Sequence, residues 1–290
     1  MGYKLKNKIL LSEIANKLSL EFKGVDLEVK GVAPFSDCQS GELSFTKDLS
    51  NHKANSVLVV LHDTTIEELD SAGYILSSNP RLDFIRVLSY LEDVIGFATY
   101  DFPSEIHPSA KIGQNVVIED GCKISEGVVI EHNVVIHSGT QIGKNSRIRS
   151  CSSIGGDGFG FDRMEGGEPL RFPHLGGVII GGNVEVGSCT TIARGTLSNT
   201  IIEDHVKIDN LVHIAHNCHI KTGAFIIACA EISGGVVIGE NAWIAPNSCT
   251  HQKINVGDNS IVGLGAVVTK DVPSNTVYAG NPAKKIRDIK

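Results

Sequence analysis

The sequence has no cluster of basic residues and no long apolar run. Its 26 Lys and Arg residues are outnumbered by 33 Asp and Glu residues, which gives a formal net charge of −7 at pH 7. We therefore do not expect nucleic-acid binding, which depends on a basic surface. The longest apolar stretches, such as Val57 to Leu61, are far shorter than the roughly 20 residues of a membrane-spanning helix. The N-terminal segment also lacks the pattern of a signal peptide.

The cysteines do not show the C-x-x-C spacing of common metal sites. Several of the seven occupy positions that the repeat described below turns inward. The seven are Cys38, Cys122, Cys151, Cys189, Cys218, Cys229 and Cys249. We interpret them as reduced residues of a cytoplasmic protein rather than as disulfides or metal ligands.

What the sequence does have is a six-residue period of aliphatic residues between Ile106 and Val268, with two interruptions and one exception. The period is unbroken from Ile106 to Ile154. It resumes at Ile180 after a gap, slips by four residues after Ile192, and then continues with Thr250 as an exception. Neither a helix, with period 3.6, nor a simple strand, with period 2, maintains such a register. A fixed six-residue period is typical of a β-solenoid built from hexapeptides.

A second inward position supports this interpretation. Two residues before most of the aliphatic positions there is a small or apolar side chain, as at Val206, Ala224 and Val236. Residues two apart on a strand face the same side, so both sets are expected to point into a narrow core. Gly, Asn and Asp cluster just after the aliphatic residue, where a sharp corner needs left-handed backbone. Three such strands and corners would close one triangular coil.

Residues 1–100 lack the six-residue period and predict a small α/β domain. Leu10 to Leu18 has helical spacing, Ser56 to Leu61 reads as a buried strand, and Asn79-Pro80 opens a helix to about Glu92. The predicted organisation is an α/β domain at 1–100, a β-helix domain at 101–273 with an inserted loop at 155–177, and a tail at 274–290.

Motifs in both domains resemble one known family. The first domain contains Gly31-Val-Ala, Ser40-Gly-Glu-Leu-Ser-Phe45 and Asn79-Pro80, and the second contains Asp157-Gly-Phe-Gly-Phe161 and Ile208-Asp-Asn-Leu-Val-His-Ile-Ala-His-Asn217. These resemble the UDP-3-O-(3-hydroxyacyl)glucosamine N-acyltransferases of lipid A biosynthesis. The resemblance implies a left-handed parallel β-helix and a homotrimer with active sites between neighbouring subunits.

The resemblance also implies a nucleotide-binding first domain. Phe45 falls where the family stacks an aromatic ring on the base. Asp48 and Asn51 differ from the asparagine and the tyrosine that the family uses nearby. Further substrate contacts are expected from Asp157, Phe159 and Phe161 in the insert and from His213.

The family's catalytic histidine corresponds to His216. Histidine is a suitable general base near neutral pH. Gly234 lies one predicted coil further along the same edge, so its N–H is expected to stabilise an oxyanion. Asn217 is expected to orient the histidine or the ligand. His251, close to the position two coils beyond His216, is expected to contact a ligand or the oxyanion.

The ending resembles a different group. Gly265 to Lys285 resembles the closing segment of coenzyme A-dependent hexapeptide acyltransferases, and the chain stops before the helices that engage acyl carrier protein in the lipid A enzyme. The residues expected to bind the donor are Lys270, Asn281, Lys284 and Lys285. We therefore favour transfer from acyl-coenzyme A to a UDP- or dTDP-linked amino sugar for surface polysaccharide. The lipid A enzyme, which uses acyl carrier protein, is the alternative.

A metal protein is a more distant alternative. Hexapeptide solenoids include γ-type carbonic anhydrases, which hold zinc with three histidines, and His132 and His137 have the offset of one such pair. The third ligand is expected near residue 96, which is Gly. We therefore predict no metal and no permanently bound cofactor.

Overall fold

The computed structural model describes residues 2–47, 49, 55–62 and 72–289, which form two compact units. The first unit contains the described residues up to Asp101 together with Gly160–Leu175, and the second contains Phe102–Phe159 and Gly176 onward. The sequence predicts that residues 155–177 form a loop inserted in the β-helix domain. Residues 160–175 instead belong to the first unit, where Phe172 packs near Phe84 at 6.3 Å between ring centroids.

The first unit is built on a six-stranded sheet with helices. Its four central strands run parallel, and the first two strands of the chain pair antiparallel at its two edges. The strands are Tyr3–Leu10 (β1), Glu21–Gly24 (β2), Glu28–Val32 (β3), Glu42–Phe45 (β4), Val57–Leu61 (β5) and Gly73–Ser77 (β6), and the helices are Leu11–Leu18 (α1) and Pro80–Tyr90 (α2). A π-helical turn, Leu91–Ile95, extends α2. Phe161–Arg163 and Pro169–Arg171 form a separate antiparallel pair.

The predicted elements of this unit are confirmed. Leu11 and Ile14 of α1 are completely buried, as their helical spacing predicts. The Asn79 side chain accepts a hydrogen bond from the Leu82 N–H at 3.3 Å and caps α2, with Pro80 as the first helical residue.

The second unit is a parallel β-helix with three sheets. Sheet 1 contains Glu105–Ile106, Lys123–Ile124, Thr140–Ile142, Val178–Ile180, Thr200–Ile202, His219–Ile220, Val237–Ile238 and Asn255–Val256. Sheet 2 contains Lys111–Ile112, Val129–Ile130, Arg147–Ile148, Glu185–Val186, Lys207–Ile208, Phe225–Ile226, Trp243–Ile244, Ile261–Val262, Thr276–Ala279 and Lys284–Asp288. Sheet 3 contains Val117–Ile118, Val135–Ile136, Ser153–Gly156, Thr191–Ala193, His213–Ile214, Glu231–Ile232, Cys249–Thr250 and Val267–Val268.

The six-residue period sets the register of these sheets. Ile214 pairs with Ile192 on one coil and with Ile232 on the next, so identical positions stack along the helix. Both inward positions are buried: Ile214 is fully buried and Val212 is 1% exposed. The apolar core therefore runs along the axis, and the predicted parallel β-helix is confirmed.

The four-residue slip after Ile192 corresponds to a loop. The strand Thr191–Ala193 ends and Thr200–Ile202 begins, so residues 194–199 leave the regular path. Thr250, the exception in the pattern, still points inward and is 4% exposed. Its hydroxyl accepts a hydrogen bond from the Ser233 N–H at 3.0 Å, which satisfies the buried polar group.

In the described part of the chain, no helix is long and apolar enough to cross a membrane. All seven cysteines are free thiols. Cys38, Cys122 and Cys218 are buried, whereas Cys151, Cys189 and Cys229 are exposed, so only part of the set is inward-facing.

Candidate active site

Five of the predicted site residues line one open groove of about 550 Å³ along sheet 3. They are Phe159, His213, His216, Gly234 and His251. Three successive coils contribute to it, because His213, Glu231 and Cys249 are neighbours in the ladder of this sheet. The stacking of coils thus brings together residues that are far apart in sequence.

The imidazole of His216 is held by the next residue. His216 Nδ1 lies 2.9 Å from Asn217 Oδ1. Because an amide oxygen only accepts hydrogen bonds, Nδ1 carries the proton and Nε2 is the basic nitrogen. This arrangement prepares Nε2 to accept a proton.

Asn217 is itself fixed by the loop at 194–199. Its Oδ1 accepts hydrogen bonds from Thr196 N at 3.2 Å and Thr196 Oγ1 at 3.0 Å. Its Nδ2 donates to the carbonyl and the hydroxyl of Ser198, at 3.2 and 2.8 Å. The residue occupies a left-handed corner with φ of 62°, which Asn tolerates better than most residues. The loop therefore determines where the amide oxygen points, and through it the orientation of His216.

Gly234 leaves the space that the His216 ring fills. A Cβ at position 234 would lie 2.9 Å from both Cε1 and Nε2 of His216. The corners stack directly, since Gly235 N donates to His216 O and Lys253 N donates to Gly234 O, both at 2.9 Å. Among the described residues, the Gly234 N–H has no acceptor. This amide is therefore free to donate to a ligand beside the imidazole.

Two polar residues of the groove, Glu231 and Ser233, were not predicted from the sequence. Ser233 Oγ donates to both carboxylate oxygens of Glu231, at 3.1 and 3.2 Å. Glu231 occupies an outward position of a short strand, which the core pattern does not constrain. Its place in the ladder next to His213, which was predicted, is the signal that could have identified it. The Thr191 hydroxyl lies 2.8 Å from His213 Nδ1.

Asp157, also predicted to contact the substrate, does not line this groove. Asp157 is exposed and its carboxylate lies 3.8 Å from Arg194 Nε. In the first unit, Phe45 stacks against Phe84 at 4.8 Å between ring centroids, and Arg171 lies 4.6 Å above the ring of Phe161. Asp48 and Asn51 lie outside the described residues.

The predicted donor residues do not form one basic cluster. Lys270, Asn281, Lys284 and Lys285 are all exposed. Lys284 and Lys285 are consecutive residues of the strand Lys284–Asp288, so their side chains leave opposite faces. Lys285 Nζ also forms an ion pair with Asp288 at 2.7 Å. The role of these residues in binding the donor stays a prediction.

The histidines considered as zinc ligands make protein contacts. His132 Nδ1 accepts the Gln114 N–H at 2.8 Å, and both ring nitrogens of His137 have side-chain partners, Glu119 and Ser153. Within the described ranges, no three His, Cys, Asp or Glu side chains are grouped so that they could hold a metal ion.

Residues 121–156 match the bacterial transferase hexapeptide family (six repeats). The UDP-N-acetylglucosamine acyltransferase of Francisella novicida is similar in structure, with a TM-score of 0.55 and 29% identity, covering 63% of this chain and 67% of that one. The UDP-3-O-acylglucosamine N-acyltransferase of Campylobacter lari is 38% identical over 96% of this chain and 94% of its own length. The corresponding enzyme of Coxiella burnetii is 33% identical over 93% of this chain and 87% of its own.

The fold and the histidine corner thus define an acyltransferase of the hexapeptide-repeat class. Within that class, the chain belongs to the UDP-3-O-acylglucosamine N-acyltransferase family, and its reaction is amino-sugar N-acylation. Of the two versions that the sequence left open, these relatives support the lipid A enzyme better than the polysaccharide enzyme that we favoured.

Proposed function

We propose that this protein transfers an acyl group from a thioester on acyl carrier protein to the amine of UDP-3-O-acylglucosamine, with His216 as the general base. The observation that carries the proposal is the corner formed by His216, Asn217 and Gly234. It combines a basic nitrogen, a residue that fixes its tautomer, and an unpaired amide within one groove.

In this mechanism, the amine of the sugar attacks the carbonyl carbon of the thioester. His216 Nε2 takes the proton from the nitrogen as the C–N bond forms. The negative charge that develops on the carbonyl oxygen is stabilised by the Gly234 N–H. The C–S bond then breaks, and the thiol leaves with a proton returned by the imidazole.

The other groove residues have roles in positioning. His213, held by Thr191, and His251, whose Nδ1 donates to the Gln252 carbonyl at 3.1 Å, present ring edges to the groove. We assign them to binding of the sugar or of the oxyanion. Phe159 is 89% exposed at the groove and is suited to cover an apolar part of a substrate. We further propose that Phe45 is the aromatic residue of a uridine-binding site in the first unit.

The choice of acyl carrier protein follows from the relatives and from the divergence of Lys284 and Lys285. A site for the phosphates of coenzyme A would need cations that converge. A homotrimer working in the cytoplasm is part of the same proposal, and light scattering of the purified chain tests the oligomeric state.

The test of the mechanism is the variant His216→Ala. General-base catalysis contributes about 10²–10⁴-fold, so kcat is expected to fall by that factor while the melting temperature stays close to wild type. His205→Asn is the control, because His205 is an exposed histidine at a corner of the same β-helix and does not line the groove. A rate for His216→Ala within about threefold of the control removes His216 from the mechanism.

A further inference from the structure

A second series of hydrogen-bonded side chains, of residue types common in catalysis, lies along sheet 3 outside the groove of His216. Ser153 Oγ is 3.2 Å from His137 Nε2, and His137 Nδ1 is 3.0 Å from Glu119 Oε1. The other oxygen of Glu119 accepts the Ser138 N–H at 2.9 Å. Hydroxyl, imidazole and carboxylate are thus connected in the order used by serine hydrolases.

The hydrogen-bond partners fix the protons in this series. An ionised carboxylate only accepts hydrogen bonds, so His137 Nδ1 must be the donor to Glu119. Nε2 is then the basic nitrogen and accepts the proton of the Ser153 hydroxyl. Burial disfavours the ionised form of Glu119, but hydrogen bonds from Ser138 and His137 outweigh it and hold the pKa of this carboxyl below its usual value.

The carboxylate contacts alone are structural, because Glu203 also accepts a backbone N–H, from Thr222 on the next coil, and also contacts a histidine, through His219 Nε2 at 2.6 Å. What distinguishes Glu119 is that its histidine also holds a serine hydroxyl on the opposite ring nitrogen. The Ser–His pair is therefore the part of the cluster that coil stacking does not require.

Both side chains of this pair are partly exposed, and the imidazole of His137 has a relative exposure of 28%. Positive charge is also present: Arg194 donates through Nε to Gly155 O at 2.6 Å and through Nη2 to Ser138 O at 2.5 Å. Its guanidinium thus lies next to the residues that flank Ser153 and His137.

We propose that Ser153, His137 and Glu119 form a second nucleophilic site, which hydrolyses acyl thioesters independently of the transfer reaction at His216. Ser153 Oγ attacks the carbonyl carbon while His137 takes its proton. The C–S bond breaks, and the thiol leaves with that proton. Water, activated by the same imidazole, then cleaves the seryl ester to give the carboxylic acid and free Ser153. No oxidant, reductant or metal is needed for this balance.

The experiment is active-site labelling of the full chain with a fluorophosphonate, followed by mass spectrometry. A single adduct on Ser153 is expected in the wild type and none in Ser153→Ala. His137→Ala is expected to slow labelling by about 10²-fold or more, in line with the loss of a general base. Ser109→Ala is the control, because Ser109 lies 2.9 Å from His107 Nδ1 in a serine–histidine pair remote from the cluster.

Measuring thioester hydrolysis in the absence of the sugar acceptor distinguishes the activity of this site from that of the proposed transfer site. Ser153→Ala is expected to lose hydrolysis and retain transfer, whereas His216→Ala is expected to lose transfer and retain labelling at Ser153. An unlabelled wild type, an adduct that persists in Ser153→Ala, or equal labelling of His137→Ala and wild type overturns the proposal. None of these results changes the assignment of His216.

Discussion

Gly234→Ala is the substitution that most directly tests the geometry of the catalytic corner. The new methyl carbon would lie 2.9 Å from His216 Cε1 and Nε2, whereas unstrained carbon contacts are about 3.5–4.0 Å. The imidazole must therefore move by roughly 0.6–1 Å. The backbone does not oppose the substitution, because Gly234 is not among the residues with positive φ.

The movement has two consequences for catalysis. It stretches the 2.9 Å hydrogen bond between His216 Nδ1 and Asn217 Oδ1, which is worth about 0.5–1.5 kcal/mol. It also displaces the basic nitrogen, and a displacement of about 1 Å costs up to about 10²-fold in rate. We expect kcat to fall by about 10–100-fold. The melting temperature should change by less than about 3 °C, since the corner is outside the core.

The assay is steady-state kinetics on purified wild type, Gly234→Ala, Asn217→Ala and the double variant. If both substitutions act by misplacing His216, their effects will not add, and the double variant will be nearly as active as the worse single one. A kcat for Gly234→Ala within threefold of wild type, or full additivity in the double variant, refutes the coupling between the glycine and the histidine ring.

Further predictions concern the orienting amide, the donor, acid stability and the buried thiol. Asn217→Ala should lower kcat at least about tenfold and leave the KM for the sugar nearly unchanged, because Asn217 acts through His216; a change confined to KM contradicts this. When the same acyl group is supplied as a thioester of acyl carrier protein and of coenzyme A, kcat/KM should be at least about 10²-fold higher for acyl carrier protein. A preference for coenzyme A would favour the surface-polysaccharide enzyme instead. Hydrogen bonds from Thr222 and His219 outweigh burial and lower the pKa of Glu203. The stability that this carboxylate contributes is therefore fully present above the unfolded pKa near 4.5 and is lost as the pH falls through the lower pKa of the folded state. The Glu203→Gln variant should therefore melt at a lower temperature than wild type at pH 7 and at the same temperature in strong acid. Burial raises the pKa of the Cys218 thiol to about 12, so iodoacetamide at pH 8 should spare it in the native protein and modify the three exposed thiols, Cys151, Cys189 and Cys229.

The fold could be predicted because one physical constraint repeats along most of the chain. Most coils bury two inward positions per strand, as Val212 and Ile214 do, although Ile106 and Ile112 of the first coil are exposed. The same register also predicted that Gly234 lies beside His216, since one coil separates them. Periodicity therefore specified the two stacked positions of the site as well as the core.

The rest of the site depends on contacts that the period does not describe. Thr196 and Ser198 lie in the loop formed by the four-residue slip, and nothing in their spacing shows that they hold Asn217. The sequence also did not predict the strand Lys284–Asp288, in which the neighbouring side chains of Lys284 and Lys285 leave opposite faces. Glu231 was missed because outward positions on a β-helix tolerate most residue types.

The corner that we propose to be catalytic lies where the repeat is interrupted, and the physical reason concerns side-chain direction. In regular coils, stacked corners differ little, and their side chains project outward in parallel ladders such as that of Asn115 and Asn133, which are joined at 3.1 Å. Such a ladder fixes the spacing of side chains along the helix axis, but it supplies no group that contacts a corner side chain from a direction across the axis. The loop at 194–199 leaves the regular path and returns Thr196 and Ser198 to Asn217, so the amide is held from both ends and the His216 ring is turned onto the next coil. On that coil, glycine at position 234 removes the one Cβ that would prevent it. The regular solenoid thus provides a rigid scaffold. The loop at 194–199 and the missing side chain at Gly234 together give the His216 corner the geometry that the proposed general base requires.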